Sequence, residues 1–156
     1  MNDLRELYQE MILDHSRNPR NRGALDHSTH VAEGRNPVCG DRVTVWIDVD
    51  GDGVIRRVTF DGRGCAISTA SASLMTEALV GRTVEEARQL FSAVHDMLTG
   101  DPAGARGAGA AGREDLGKLE VLSGVKEFPM RVKCASLPWH TFLAALEGRD
   151  EPARTE

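Results

Sequence analysis

The sequence predicts an α+β fold, in which helices pack on one face of a small antiparallel sheet. Apolar and polar residues alternate along residues 42–49, as they do in a strand with one buried face. The turn sequence DGDG at residues 50–53 follows, and residues 54–60 form a second extended stretch, so this region predicts a β-hairpin. Residues 3–14 and 66–80 have helical patterns, which supply the helical layer.

The first predicted helix covers residues 3–14 and ends before Pro19, because the residue that precedes a proline disfavours the helical conformation. Apolar side chains recur at helical spacing along it, at Leu4, Leu7, Tyr8, Met11 and Ile12. Residues 15–27 contain Asn, Pro and Gly and predict a loop. A short stretch at residues 29–33 predicts an additional edge strand.

The helix predicted over residues 66–80 is rich in small side chains, which indicates that another element packs closely against it. The next helix begins after Thr83, which can cap it ahead of an acidic first turn, and runs to about Leu98. A short helix is expected around residues 116–124. The last helix is expected to begin near Cys134 or Pro138 and to end at Gly148.

The length of 156 residues predicts one domain, over residues 1–148. Residues 100–115 are rich in Gly and Ala and predict a flexible surface insertion. Residues 149–156 predict a frayed tail.

Charge and composition exclude several functional classes. The net charge is −5 and the aromatic residues are two Trp, one Tyr and four Phe, so neither a basic nucleic-acid surface nor a base-stacking platform is expected. The sequence has no apolar run long enough to span a membrane. The N-terminal stretch MNDLRELYQEM is charged and lacks an apolar signal core, so we expect a cytoplasmic protein.

Three cysteines are an odd number, and a disulfide framework is a poor explanation for them in a reducing compartment. Buried inert thiols, a metal site and a reactive thiol are the alternatives. Cys39 lies in a loop before the first long strand, Cys65 opens a predicted helix, and Cys134 lies near the expected start of the last helix. The N-terminal end of a helix favours a thiolate, which is the form that binds metal and attacks sulfur.

Asp41 can add a carboxylate to these thiols, because Gly40 leaves the backbone between Cys39 and Asp41 free to turn. Zinc accepts Cys sulfur and Asp oxygen in tetrahedral geometry. Such a site carries more negative charge than Zn²⁺ neutralises, so nearby cations are expected. The candidates beside the ligands are Arg42, Arg63, Arg131 and Lys133. The spacing alone also fits cysteines that are buried as small apolar side chains.

Four motifs occur in an order typical of a known family. They are HSRNPRNRG (15–23), CGD (39–41), GRGCAIS (62–68) and RVKCASL (131–137). Together they resemble the IscU/NifU N-terminal family of iron–sulfur cluster assembly proteins, and within it the SufU type, over roughly residues 4 to 147. The resemblance implies a SufE/NifU-like α+β fold, with a three-stranded antiparallel sheet, helices on one side, and the cysteines gathered at one end.

The resemblance also implies a site and an activity. Cys39, Asp41, Cys65 and Cys134 match the zinc ligands of the SufU type, and Arg131 matches an arginine close to that site. A SufS-type cysteine desulfurase, which depends on pyridoxal phosphate, forms a persulfide from free cysteine and displaces one thiolate from zinc. That thiolate accepts the sulfur, and downstream iron–sulfur assembly proteins receive it. We expect Cys39 to be the acceptor, because its loop can move.

Three departures separate this chain from scaffold-type IscU proteins. Lys133 stands where those proteins have a histidine, EFPMRVK replaces their Leu-Pro-Pro-Val-Lys motif, and the 100–115 insertion is a SufU feature. These departures favour a zinc-dependent sulfurtransferase. A scaffold that binds iron or a [2Fe–2S] cluster on the same cysteines is the alternative, since thiolates suit both metals. A zinc-stabilised binding domain without chemistry is a third hypothesis.

Overall fold

In the part of the chain that the structure describes, three antiparallel strands, extended by a short fourth strand, and four α-helices form the α+β fold that the sequence predicts. The structure is a computed structural model and describes residues 3–37, 40–99, 117–148 and 153–154. In chain order its elements are α1 (Asp3–Arg17), β1 (His30–Asn36), β2 (Asp41–Val49), β3 (Ile55–Arg63), α2 (Ala66–Leu79), α3 (Val84–Thr99), a 3₁₀ segment (Gly117–Glu127), α4 (Pro129–Glu147) and β4 (Ala153–Arg154). No helix in the described ranges is long and apolar enough to cross a membrane.

The central strand β2 pairs with β1 on one side and with β3 on the other, antiparallel in both cases. Its alternation is confirmed, because Val43, Val45 and Ile47 are buried while the residues between them face outward. The Asp50–Gly53 stretch forms the predicted turn, in which Gly53 N donates to Asp50 O at 3.1 Å. The sheet therefore has one face in the core and one face turned away from it.

The tail contributes a short strand at the edge of this sheet. Residues 149–156 are predicted to fray, yet β4 pairs in parallel with Gly34 and Arg35 of β1. An edge strand exposes unpaired backbone groups, and β4 satisfies some of them. The other residues of the tail and the predicted insertion at 100–115 lie outside the described residues.

The helix α2 packs closely against its neighbours, as its small side chains indicate. Ser71 is fully buried, and its Oγ donates to Ala135 O of α4 at 2.6 Å. On the other side of α4, a Cβ at Gly34 of β1 would overlap Thr141 Oγ1. The helix α4 is thus held tightly between β1 and α2.

The loop after α1 is anchored to α2 and β3 by hydrogen bonds. Arg20 N donates to Ser73 Oγ at 2.8 Å, and Asn21 Nδ2 donates to Thr76 Oγ1 at 3.0 Å. Phe60 N donates to Asn21 O at 3.1 Å. These bonds explain why two buried hydroxyls lie on α2, since polar groups in a core need hydrogen-bond partners.

The predicted start of the last helix is wrong. The helix α4 begins at Pro129, with Phe128 as its N-cap residue, and ends at the predicted Gly148. Proline suits the first turn because the first N–H groups of a helix have no partner within it. Pro138 lies inside the helix rather than at its beginning. Cys134 therefore lies in the second turn, beyond the first turn where the field of a helix terminus acts.

Candidate metal centre

Asp41 is positioned by the tight turn between β1 and β2. Gly40 has a φ of +76°, a conformation that favours glycine, and its N–H donates to Asn36 O at 2.8 Å. This turn places Asp41 opposite Asn36 in the strand register. Asp41 is the first residue of β2 and is buried, with 6% exposure.

Cys65 lies where the chain passes from β3 into α2. It is the N-cap residue of α2, its side chain makes no capping hydrogen bond, and its carbonyl accepts from Thr69 N at 3.0 Å. Gly64 brings this connection close to Asp41, because a Cβ there would lie 3.7 Å from Asp41 Cγ and would overlap Ser68 Oγ. Cys65 is half-buried, so its thiol is accessible from outside.

Cys134 reaches the same region from α4. It is buried, with 3% exposure, and its thiol is not in a disulfide. The bond from Ser71 Oγ to Ala135 O fixes α4 against α2 one residue further along the chain. Rigid helix–helix packing therefore sets the position of Cys134.

The three side chains converge on one point. A carboxylate oxygen of Asp41 and the sulfur atoms of Cys65 and Cys134 all lie within 4.8 Å of one another. Tetrahedral zinc with bonds of about 2.0–2.3 Å needs donors roughly 3.5–3.8 Å apart, so adjustments of about 1 Å would suffice. Asp41 Oδ2 is also buried, without a hydrogen-bond partner among the described residues. A buried carboxylate oxygen is costly unless a cation or donor meets it, so these donors fit a metal ion.

Cys39, the predicted fourth ligand, lies outside the described residues. The sequence places it two positions before Asp41 and directly before Gly40. Its membership of the site stays a prediction.

The predicted cations have different positions. Arg42 and Arg63 are exposed, and Arg42 faces away from the core while the neighbouring Asp41 is buried. Lys133 is half-buried. Arg131 is exposed and lines a cleft together with Cys65. Of the four predicted cations, Arg131 is therefore the one that lines the same cleft as Cys65.

This cleft was not predicted from the sequence. It has a volume of about 630 Å³ and lies between α1, the start of α2, the 3₁₀ segment and the start of α4. Its apolar lining includes Ile12, Ile67, Val121, Val125 and Phe128. These residues come from separate segments, so no local pattern could have indicated it. Phe128 on this lining is 56% exposed, so the cleft opens to solvent at Phe128.

Known proteins similar to this chain include a sulfurtransferase and two scaffold proteins. The chain is 42% identical to the zinc-dependent sulfurtransferase SufU of Bacillus subtilis, over 88% of this chain and 87% of that protein. It is 39% identical to the iron–sulfur cluster assembly scaffold protein IscU of Thermotoga maritima, over 94% of this chain and 96% of that protein. A crystal structure from Fervidobacterium islandicum, assigned as a scaffold protein for the SUF system, matches with a TM-score of 0.78 and 37% identity, over 90% and 97% of the two chains.

The family match covers most of the chain and contains the three converging donors. Residues 7–135 match the family described as the NifU-like N terminal domain. The matched range includes Asp41, Cys65 and Cys134, whose ligand atoms meet in the structure. The chain belongs to the NifU-like N-terminal domain family.

Proposed function

We propose that this protein is a zinc-dependent sulfurtransferase in iron–sulfur cluster assembly. The observation that carries the proposal is the convergence of Asp41, Cys65 and Cys134 around a buried carboxylate oxygen that lacks a partner among the described residues. The similarity to a relative named as a zinc-dependent sulfurtransferase supports it. Neither Cys65 nor Cys134 is in a disulfide, which suits a reducing compartment such as the cytoplasm.

Asp41, Cys65, Cys134 and Cys39 would hold the metal. Zinc, when bound, would keep the thiols deprotonated without exchanging electrons with them. Asp41 starts a strand, and Cys65 and Cys134 belong to helices, so these three donors have little freedom to leave. Cys39 follows Pro37 and precedes Gly40, which makes it our candidate for the thiolate that moves.

The proposed chemical step is a thiol–persulfide exchange. The Cys39 thiolate attacks the terminal sulfur of a donor persulfide, a new S–S bond forms at Cys39, and the donor's S–S bond breaks. The donor leaves as a thiolate, so the step needs no external oxidant or reductant. Arg131 lines the accessible cleft beside Cys65, and we propose that its guanidinium attracts the anionic persulfide.

The donor in this proposal is a cysteine desulfurase of the SufS type, which uses pyridoxal phosphate to generate a persulfide from cysteine. Downstream iron–sulfur assembly proteins would receive the sulfur from Cys39. The open cleft offers the donor a path to the thiol site, since Cys65 lies on its wall.

A scaffold that assembles an iron–sulfur cluster on the same residues is the alternative. The relative from Thermotoga maritima is named as such a scaffold, and thiolates bind iron as well as zinc. Lys133 in place of a histidine favours the sulfurtransferase, because a lysine ammonium is not a metal ligand.

Metal analysis of anaerobically purified protein separates these functions. Colourless protein with one zinc per chain supports the sulfurtransferase, whereas brown protein with iron and acid-labile sulfide supports the scaffold. A second assay measures how far the protein stimulates its cysteine desulfurase. We expect Cys39→Ala to abolish stimulation while retaining part of the zinc; full stimulation by this variant would refute the role of Cys39.

A further inference from the structure

Three exposed arginines stand side by side across β1, β2 and β3, and the register places Arg154 of β4 opposite the first of them, Arg35. The strand register pairs Arg35 of β1 with Arg42 of β2, and Arg42 with Arg63 of β3. All three are exposed, whereas the neighbouring Asn36, Asp41 and Val43 are buried on the other face. We call Arg35, Arg42 and Arg63 the arginine row.

Fold stability does not account for this row, because like charges directly opposite one another destabilise a sheet. Neighbouring carboxylates compensate it only in part. Glu33 Oε1 lies 3.0 Å from Arg35 Nε and 3.6 Å from Arg42 Nη2. Asp61 lies two residues before Arg63 but is paired with Arg22, whose Nε is 3.3 Å from Asp61 Oδ1.

The cluster has a positive excess on a negatively charged protein. Among the side chains that the structure describes here, the row and Arg22 supply four guanidiniums and Glu33 and Asp61 supply two carboxylates, an excess of two positive charges. The whole chain carries −5. This patch therefore has a field opposite in sign to the average field of the protein, and such a field steers an oppositely charged partner.

The row adjoins the metal centre. Arg42 directly follows Asp41, and Arg63 is two residues before Cys65. A molecule docked on the row would therefore lie at the end of the sheet where the converging donors are.

We propose that the arginine row docks an acidic surface patch of the protein that donates sulfur to the neighbouring thiols; this rests on the proposed function. The row crosses three strands and spans about 10 Å at an inter-strand spacing of about 4.8 Å. A line of carboxylates on a protein matches this length, whereas a single phosphate does not. Nucleic acid is disfavoured by the negative charge of the chain.

The test uses the persulfide form of the organism's own cysteine desulfurase as the donor. Sulfur uptake by the zinc-loaded protein is measured against donor concentration, at about 0.05 M and 0.5 M salt. Arg35→Glu is expected to raise KM for the donor about tenfold at low salt and much less at high salt. Arg57→Glu is the matched control, since Arg57 is an exposed arginine of β3 opposite Asp48, away from the row.

Equal KM values for Arg35→Glu and Arg57→Glu at low salt would overturn the proposal. If Arg35→Glu fails to fold, Arg35→Gln replaces it, because this variant removes the positive charge without introducing a negative one. It is also expected to raise KM for the donor. Failure of the proposed function is recognised separately, because the wild-type protein would then take up no sulfur at any donor concentration. In that case the dissociation constants of the donor for wild type, Arg35→Glu and Arg57→Glu decide whether the row docks it.

Discussion

The surroundings of Asp41 are the strongest indication of a metal site. Its carboxylate is buried, and Oδ2 has no hydrogen-bond partner among the described residues. A buried charge without compensation destabilises a fold, so a carboxylate in this position needs a cation. The two sulfur atoms within 4.8 Å make a metal ion the natural cation, because thiolates and a carboxylate are zinc ligands.

Asp41→Asn is expected to weaken zinc binding by at least about hundredfold. Removing a residue that only supports a metal ligand already lowers metal affinity by up to about hundredfold, and Asp41 is a proposed ligand itself. The measurement is a competition titration with a chromogenic zinc chelator. Asp61→Asn is the control, because Asp61 is an exposed carboxylate of the same sheet. Equal zinc affinity of the two variants would remove Asp41 from the ligand set.

Asp50 predicts a pH dependence of stability. The Val54 backbone N–H, and then the Arg56 guanidinium, hold the pKa of Asp50 below its usual value of 3.8. A carboxylate with a lowered pKa stabilises the folded state above its unfolded pKa, and this contribution is lost as the pH falls through the folded pKa. Asp50→Asn should therefore be less stable than wild type at neutral pH, and the difference should shrink below pH 3.8.

Urea unfolding at a series of pH values checks this expectation. Asp52→Asn, at another carboxylate of the same turn, is the control. A difference between wild type and Asp50→Asn that stays constant into the acid range would contradict the assignment.

The motifs indicated which side chains lie close together better than they indicated why. Asp41, Cys65 and Cys134 converge as their motifs imply, and Cys65 does open a helix. Cys134 was predicted at a helix start, yet it is buried in the second turn of α4. Its position depends on packing against α2, which no single motif encodes.

Among the elements, α4 depends on close packing against β1. Gly34 lets it approach β1, because a Cβ at this position would overlap Thr141 Oγ1 and lie 3.2 Å from Leu137 Cδ1. Thr141 is fully buried and its hydroxyl donates to Leu137 O, so its side chain has little room to move.

Gly34→Ala is expected to lower the free energy of unfolding by about 1–3 kcal/mol, the usual effect of overpacking. Chemical denaturation measures it. Gly51→Ala is the matched control, since a Cβ at Gly51 would meet nothing within 4 Å. If Gly34→Ala is as stable as the control, α4 can move away from the sheet without lowering the free energy of unfolding.

Elements with strong local signals were predictable. The alternation along β2 and the turn sequence after it predicted the hairpin. The Thr83–Glu86 pair forms the capping box that starts α3, with bonds of 2.9 and 3.1 Å. The helix α4 starts earlier than predicted because Pro129 begins it while Pro138 lies inside it, and proline inside a helix is normally disfavoured. The pairing of β4 with β1 joins residues far apart in the sequence, so local patterns could not indicate it.

In the whole molecule, the candidate metal centre would join three separate parts of the chain. Its donors come from the start of β2, the start of α2 and the second turn of α4. A metal bound there joins the sheet to two helices, so metal affinity and fold stability should be linked.

Zinc removal by a chelator is expected to lower the thermal midpoint by about 10 °C. Zinc at a thousandfold excess over its dissociation constant adds about 4 kcal/mol, and each kcal/mol shifts the midpoint of such a chain by about 2–4 °C. Calorimetry with and without zinc gives the shift. A Cys65→Ala/Cys134→Ala protein should show none; an equal shift in this variant would place the zinc elsewhere.

The proposed function depends on the transfer of sulfur to Cys39. The most direct measurement is mass spectrometry of the zinc-loaded protein after incubation with its cysteine desulfurase and free cysteine, with peptide mapping of the added sulfur. We predict one persulfide, on Cys39, and none on Cys65 or Cys134. Cys39 is not the acceptor if the protein gains no sulfur. The same holds if sulfur is found on Cys65 or Cys134 while Cys39 stays unmodified.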